Sequence, residues 1–210
     1  MLRVGLTGGI ASGKSTVGEM LVALGAHLIR ADEISHQLMQ PGEAVYQEVL
    51  RHFGREILDP DGKVNRARLA EAAFGAGGAA SRIQELNRIV HPPVIQKQED
   101  WMDEVGRREA AAIAIVEAAL ILESGAAKRF DCLIVVTCRP EQRIERWMQL
   151  RGVDEETARL EVTRRMAAQL PDEEKIRAAD YVIDNSGELK TTRGQVQAVF
   201  AALRESGARD

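Results

Sequence analysis

Nine consecutive residues near the start of the chain, Gly8-Gly9-Ile10-Ala11-Ser12-Gly13-Lys14-Ser15-Thr16, fit the pattern G-x-x-x-x-G-K-[ST]. Each fixed position has a physical reason. Gly8 and Gly13 let the backbone turn tightly and approach an anion with no Cβ in the way. Successive backbone N–H groups can then face inward around phosphate oxygens. A helix starting near Lys14 adds the positive end of its dipole. Lys14 reaches the outer phosphates of a nucleotide, and the Ser15 hydroxyl is placed to ligate Mg2+. The segment reads as a phosphate-binding loop, a P-loop.

Other residues add chemistry to that grip. Asp32 follows a short apolar strand around Leu28 and Ile29, and ligands of open parallel sheets bind beyond the carboxyl ends of strands. The same position also suits an N-cap for a helix over Glu33–Leu38. Glu117 closes the apolar run Ala112–Val116, as an acidic residue closes the magnesium-side strand of P-loop enzymes. Between residues 140 and 178 the chain is helical and charged. That region and its lead-in hold Arg139, Arg143, Arg146, Arg151, Arg159, Arg164 and Arg165, interleaved with Asp and Glu. One reading is a solvated helix pair laced with i,i+4 ion pairs. The other is a lid, whose guanidinium groups neutralise the charge spread over a transferring phosphoryl group and whose closure excludes water.

A P-loop works only between a strand and a helix. Arg3–Thr7 is β-compatible, while Val17, Met20, Leu21 and Leu24 recur at helical spacing before Gly25 ends the run. From about 33 to 110 the pattern is helical and strand-poor. It is broken at Pro41-Gly42, at the turn Asp59-Pro60-Asp61-Gly62, at a joint Gly75-Ala76-Gly77-Gly78, and at His91-Pro92-Pro93, where a helix is expected to end or kink. A helix starting at Asn65 or Arg66 carries Leu69, Ala72, Ala73 and Phe74. Asp131–Thr137 and Tyr181–Ile183 read as further strands, Pro140 as the first turn of a helix, and Val196, Val199, Phe200 and Leu203 as the apolar face of a terminal helix over about 188–205. Strands alternating with helices predict an α/β fold, with right-handed crossovers and a parallel sheet of five strands.

The 210 residues suit one such domain, and 45% hydrophobic with 29% charged residues is ordinary for a globule. The net charge of −4 does not advertise nucleic-acid binding. No apolar run reaches membrane-spanning length, and cleavage of a leader would destroy the P-loop, so a cytoplasmic protein is expected. Cys132 and Cys138 lie along one extended stretch, too far apart for a disulfide, and read as two buried thiols. A nucleotide switch for guanine would carry Asn-Lys-x-Asp, a tetrapeptide this chain lacks. The loop alone leaves open other small-molecule or nucleoside monophosphate kinases, or a catalytically silent ATP-binding module.

Several separated motifs narrow this. Leu6–Val17 around the P-loop, Ala31-Asp32, Leu86-Asn87-Arg88-Ile89-Val90-His91-Pro92, Gln142 with Arg146, Arg165–Gln169 with Lys175, and Ala179–Gly187 together resemble the dephospho-coenzyme A kinase family, over nearly the whole chain. The resemblance implies transfer of the ATP γ-phosphate to the ribose 3′-hydroxyl of dephospho-coenzyme A, giving coenzyme A and ADP. It implies a P-loop NTPase architecture of three α/β/α layers: a core of residues 1–32, 111–139 and 179–210, a helical acceptor-binding insertion at 33–110, and a lid at 140–178. Gly8, Gly9, Ala11, Ser12, Gly13, Lys14, Ser15 and Thr16 would bind ATP, with Ser15 on Mg2+. Asn185 would lie where the family holds adenine, and Arg146, Arg151 and Arg165 would be lid arginines. Asp32 would sit beside the acceptor hydroxyl, and Thr7, His91, Pro92, Leu120 and Glu123 would shape the acceptor side. The expected partners are ATP and dephospho-coenzyme A, with no nucleic acid and no membrane. The chain departs from the family pattern at Arg30, where Asp is usual, at Glu117, at Ala119–Leu122, and in a longer lid with Arg151-Gly152.

Overall fold

In the computed structural model, residues 1–75 and 81–207 are described. The strands are β1 (Leu2–Gly8), β2 (His27–Arg30), β3 (Ile113–Glu117), β4 (Cys132–Thr137) and β5 (Tyr181–Asp184). The helices are α1 (Lys14–Ala23), α2 (Ala31–Leu38), α3 (Ala44–Phe53), α4 (Arg66–Phe74), α5 (Ile83–Arg108), α6 (Pro140–Arg151), α7 (Glu155–Ala167), α8 (Asp172–Arg177) and α9 (Leu189–Gly207). The strands form one parallel sheet in the order β2-β3-β1-β4-β5, as the alternating pattern predicts.

Period-2 alternation divides the strand residues between two cores. Leu2, Val4 and Leu6 of β1, Ile113 and Ile115 of β3, and Cys132, Ile134 and Val136 of β4 pack with Val17 and Leu21 of α1 and with Val196, Val199 and Leu203 of α9. Leu133 and Val135 point the other way, onto Ile121, Leu122, Ala127 and Phe130 of the β3–β4 connection and onto Ala179, and α8 packs beside them against β4. A strand covered on both faces must be apolar throughout, which is why β3 and β4 read as unbroken hydrophobic runs. The register sets Leu6 opposite Glu117 and Gly8 opposite Val136, so the carboxyl ends of β1, β3 and β4 form one rim.

The chain divides into two compact units, one of Met1–Ile29 with the residues from Met102 onward, the other of Arg30–Trp101. The second unit is helical. Val45, Tyr46, Val49, Phe53, Ile57, Leu69, Ala73, Val90 and Val94 are buried in it. Asn65 caps α4 by accepting from the Arg68 N–H at 3.0 Å, and Tyr46 Oη donates to the Gly62 carbonyl at 2.6 Å. The expected joint lies outside the described residues except for Gly75, the left-handed C-cap of α4.

Two sequence expectations meet the structure here. Of the end or kink expected at Pro92-Pro93, the end does not occur, because α5 runs 26 residues through both prolines. Its buried stripe of Val90, Val94, Gln98, Met102 and Val105 continues past the prolines. That burial outweighs the two missing N–H donors, whose loss costs on the order of 3 kcal/mol or more for a proline in a helix interior. Asp32 is neither the end of β2 nor a cap: β2 ends at Arg30, which is itself the N-cap position of α2, and Asp32 lies in the helix's first turn.

Candidate active site

The P-loop fills the turn from β1 to α1. Gly13 is the N-cap of α1 at φ 94, a left-handed value, and a Cβ there would collide with the Asn185 amide. Glycine is therefore required at this position by both conformation and space. The start of α1 has no side-chain cap and no acidic residue in its first turn. Its leading N–H groups lack intrahelical partners, and no acidic residue of the helix's own first turn offsets the positive end of the dipole, so this end is suited to an anion. Ala11 takes a left-handed φ of 52, which costs a residue with a Cβ about 1–2 kcal/mol. Such strain is retained where neighbours over-determine the backbone. Here Arg146 reaches the Ala11 carbonyl at 3.4 Å and the Cys138 thiol lies 3.8 Å from it. Thr7 Oγ1 and Ser12 Oγ are buried with no hydrogen-bond partner among the described residues.

Around the loop, Lys14 Nζ donates to the Gly8 and Gly9 carbonyls at 3.0 and 3.1 Å, which holds its ammonium over the cradle. Ser15 Oγ donates to Glu117 Oε1 at 2.7 Å. Glu117 is buried, at the carboxyl end of the strand beside β1. A hydroxyl and a carboxylate at this spacing are hard oxygen donors, the set Mg2+ uses together with phosphate oxygens.

The lid arginines divide. Arg146 lies on the loop, donating from Nη1 to the Ser12 carbonyl at 3.2 Å and from Nη2 to the Asn185 carbonyl at 2.8 Å. Arg151 and Arg165 rest instead on the indole of Trp147, 4.8 and 5.0 Å from its ring centroid. Trp147 packs with Ala158 and Val162 of α7 and with Ile10 of the P-loop. Arg159, Arg164 and Arg165 pair with glutamates one helical turn away, as the solvated-helix reading expects of individual arginines.

Asn185 is a connector. Its backbone N–H donates to the Thr137 carbonyl at 2.8 Å, its Nδ2 donates to the Ser12 carbonyl at 2.9 Å, and its Oδ1 accepts from Thr192 Oγ1 at 2.9 Å. The side chain expected near adenine is thus committed within the protein. Glu123 is committed through one oxygen, while its Oε2 is buried with no partner among the described residues. Its Oε1 accepts from Lys175 Nζ at 3.0 Å and from the Leu170 N–H at 2.9 Å, with Lys175 only 1% exposed. Leu120 is exposed on the same connection.

Thr7, the P-loop, Arg146, Asn185 and Glu117 therefore meet at one sheet rim. Asp32, His91 and Pro92 belong to the helical unit. Asp32 is exposed in the first turn of α2. His91 is half-buried on α5, and burial holds its imidazole below the ordinary value. Sequence reasoning left Arg143, Trp147 and Thr192 out of the site. Arg143 and Trp147 lie one helical turn apart, and that spacing was the available signal.

A family model described as CoaE, dephospho-CoA kinase, matches residues 2–191. The chain belongs to this family. It is 40% identical over 210 residues to a dephospho-CoA kinase of Syntrophotalea carbinolica, covering 97% of this chain and 92% of that one. The crystal structure of TT1252 from Thermus thermophilus superposes with a TM-score of 0.77 at 31% identity, covering 96% of this chain and 97% of that one. A dephospho-CoA kinase from Campylobacter jejuni gives 0.67 at 25% identity, over 97% and 98% of the two chains. The sheet and P-loop fit these kinase relatives, and no helix among the described residues is long and apolar enough to cross a membrane.

Proposed function

We propose that this chain transfers the γ-phosphate of ATP to the ribose 3′-hydroxyl of dephospho-coenzyme A, releasing coenzyme A and ADP. The observation that carries the reading is the start of α1, with no side-chain cap and no acid of its own, beneath a P-loop whose lysine, serine and facing Glu117 converge on one cradle. The α1 N–H groups and Lys14 bind the β- and γ-phosphates, and Arg146 braces the loop against Asn185 while adding positive charge beside it. Ser15 and Glu117 would hold Mg2+, which when bound offsets charge on the β- and γ-phosphate oxygens. Asp32 accepts the acceptor hydroxyl's proton or orients that hydroxyl, a role needing an approach within about 3 Å in the substrate complex. His91 and Pro92 shape the acceptor side, and Arg151 and Arg165 reach the transferring phosphoryl group when they leave Trp147.

The test is a coupled ADP-release assay with MgATP and dephospho-coenzyme A, run beside AMP and adenosine. Turnover with dephospho-coenzyme A alone is expected. Turnover with only AMP or adenosine would replace the acceptor and keep the kinase. Asp32→Asn should lower kcat by roughly a hundredfold or more while leaving ATP affinity in place. An undiminished kcat in that variant removes Asp32 from the chemistry.

A further inference from the structure

We infer that Arg143 is a positioning residue for the nucleotide site: a buried, permanently charged prop that seats Gly9 of the P-loop and lends its charge to the bound triphosphate. This rests on the proposed ATP site and adds a residue to it.

Arg143 is only 1% exposed, in the second turn of α6. Its guanidinium occupies the space where a side chain on Gly9 would be. A Cβ built on Gly9 would lie 2.8 Å from Arg143 Cζ and 3.0 Å from its Nη2. Gly9 has an ordinary negative or extended φ, so its backbone conformation does not call for glycine. The close approach of the guanidinium does. Arg143 Nη2 donates to the carboxylate of Asp172 at the start of α8. Its Nε is buried with no partner among the described residues. A guanidinium cannot be discharged at any ordinary pH, and a buried charge is tolerated only when paired.

The pairing is incomplete, since one carboxylate engages Nη2 and Nε has no partner among the described residues. Nη1, Cζ and Nη2 meanwhile lie against Gly9 of the loop whose N–H groups grip phosphate. A polyphosphate in that cradle gives the remaining charge a counterion in surroundings of low dielectric, where charge pairs count for more than in water. Asp172 belongs to the α7–α8 end of the lid region, so the pair also ties that end to the loop.

The experiment compares wild type, Arg143→Met, and the double variant R143M/D172L. Calorimetric titration with MgATP and MgADP is the readout, with melting temperature and the KM for dephospho-coenzyme A measured alongside. The double variant replaces the buried ion pair by an apolar pair of similar volume, a change proteins commonly tolerate or gain from, so it carries the test if R143M fails to fold. The expected result is that nucleotide affinity falls on the order of tenfold, the size of one charge-assisted contact. It should fall in both variants, with no change in the KM for dephospho-coenzyme A, and the double variant should regain melting temperature without regaining affinity. Wild-type nucleotide affinity in R143M overturns the inference. Wild-type affinity in the double variant also overturns it, because Arg143 would then be only a packing element. The wild-type titration separates the two levels: no nucleotide binding there defeats the ATP site itself, whereas binding there with unaltered variants defeats only the role of Arg143.

Discussion

Replacing Asn185 by alanine tests whether this side chain is a nucleotide contact or a tie within the protein. It is 6% exposed and makes two side-chain hydrogen bonds of 2.9 Å, one to the Ser12 carbonyl and one from Thr192. In Asn185→Ala, the Ser12 carbonyl keeps a donor, Arg146 Nη1 at 3.2 Å, so its share of the loss is about 1 kcal/mol. The Thr192 hydroxyl, on a residue with no exposure, loses its acceptor at a cost of roughly 1–3 kcal/mol. The total is about 2–4 kcal/mol, which for a chain of this length lowers the melting temperature by roughly 5–15 °C. Thr192→Val should cost less, and the double variant should fall short of the sum by about 0.5–3 kcal/mol, because both changes break the same bond. Urea denaturation and calorimetric melting measure the stabilities, and steady-state kinetics measures the KM for ATP. A wild-type denaturation midpoint with a raised KM would refute the reasoning and return Asn185 to adenine.

Three further outcomes follow from the geometry. Ala11→Gly relieves a left-handed alanine and should raise stability by about 0.5–1 kcal/mol after glycine's unfolded-state entropy is counted; a lower melting temperature would show that the loop is not strained there. Burial, with Asp180 and Asp131 nearby, pushes the Cys132 thiol up to about 12, so alkylation at pH 8 should proceed only as fast as the native state opens, and mass-spectrometric labelling at a free-thiol rate would contradict this. Burial lowers the His91 value, so below about pH 6.5 the unfolded chain takes up this proton before the folded chain does. Stability at that site is present at higher pH and lost on acidification; the denaturation midpoint should therefore fall less between pH 7.5 and 5 in His91→Gln than in wild type, and identical slopes would exclude His91.

Local patterns in the sequence carried most of the fold. The β1–loop–α1 unit is written in consecutive residues, and β3 and β4 show as unbroken apolar runs because both their faces are covered. What escaped is non-local. Asn185 bonds a carbonyl 173 positions away, so its spacing to the P-loop carries no signal, and an exposed-looking Asn-Ser-Gly turn reads equally well as a ligand contact. Arg143 looks like one of several surface arginines until Gly9 and Asp172 are seen to enclose it. Arg151 and Arg165 share an indole that no pairwise charge rule would suggest. At Pro92-Pro93 the helix does not end, because a buried stripe runs past the prolines.

The contact between Ile10 and Trp147 has an evolutionary consequence. The phosphate-binding loop and the α6–α7 hairpin share a wall, so exchanging either one alone should disturb the other. A lid transplanted from a relative would have to bring its own complement to Ile10, or the recipient would need a compensating change inside its nucleotide grip. Substitutions on the outer surfaces of α6 and α7, where Leu150 and Leu160 face solvent, leave that wall untouched, while changes at Trp147, Ala158 or Val162 reach a residue some 140 positions earlier in the chain. Hybrids joined outside the stretch from Pro140 to Ala167 should keep the hairpin side of this cluster intact, whereas hybrids cut within it should lose packing against Ile10.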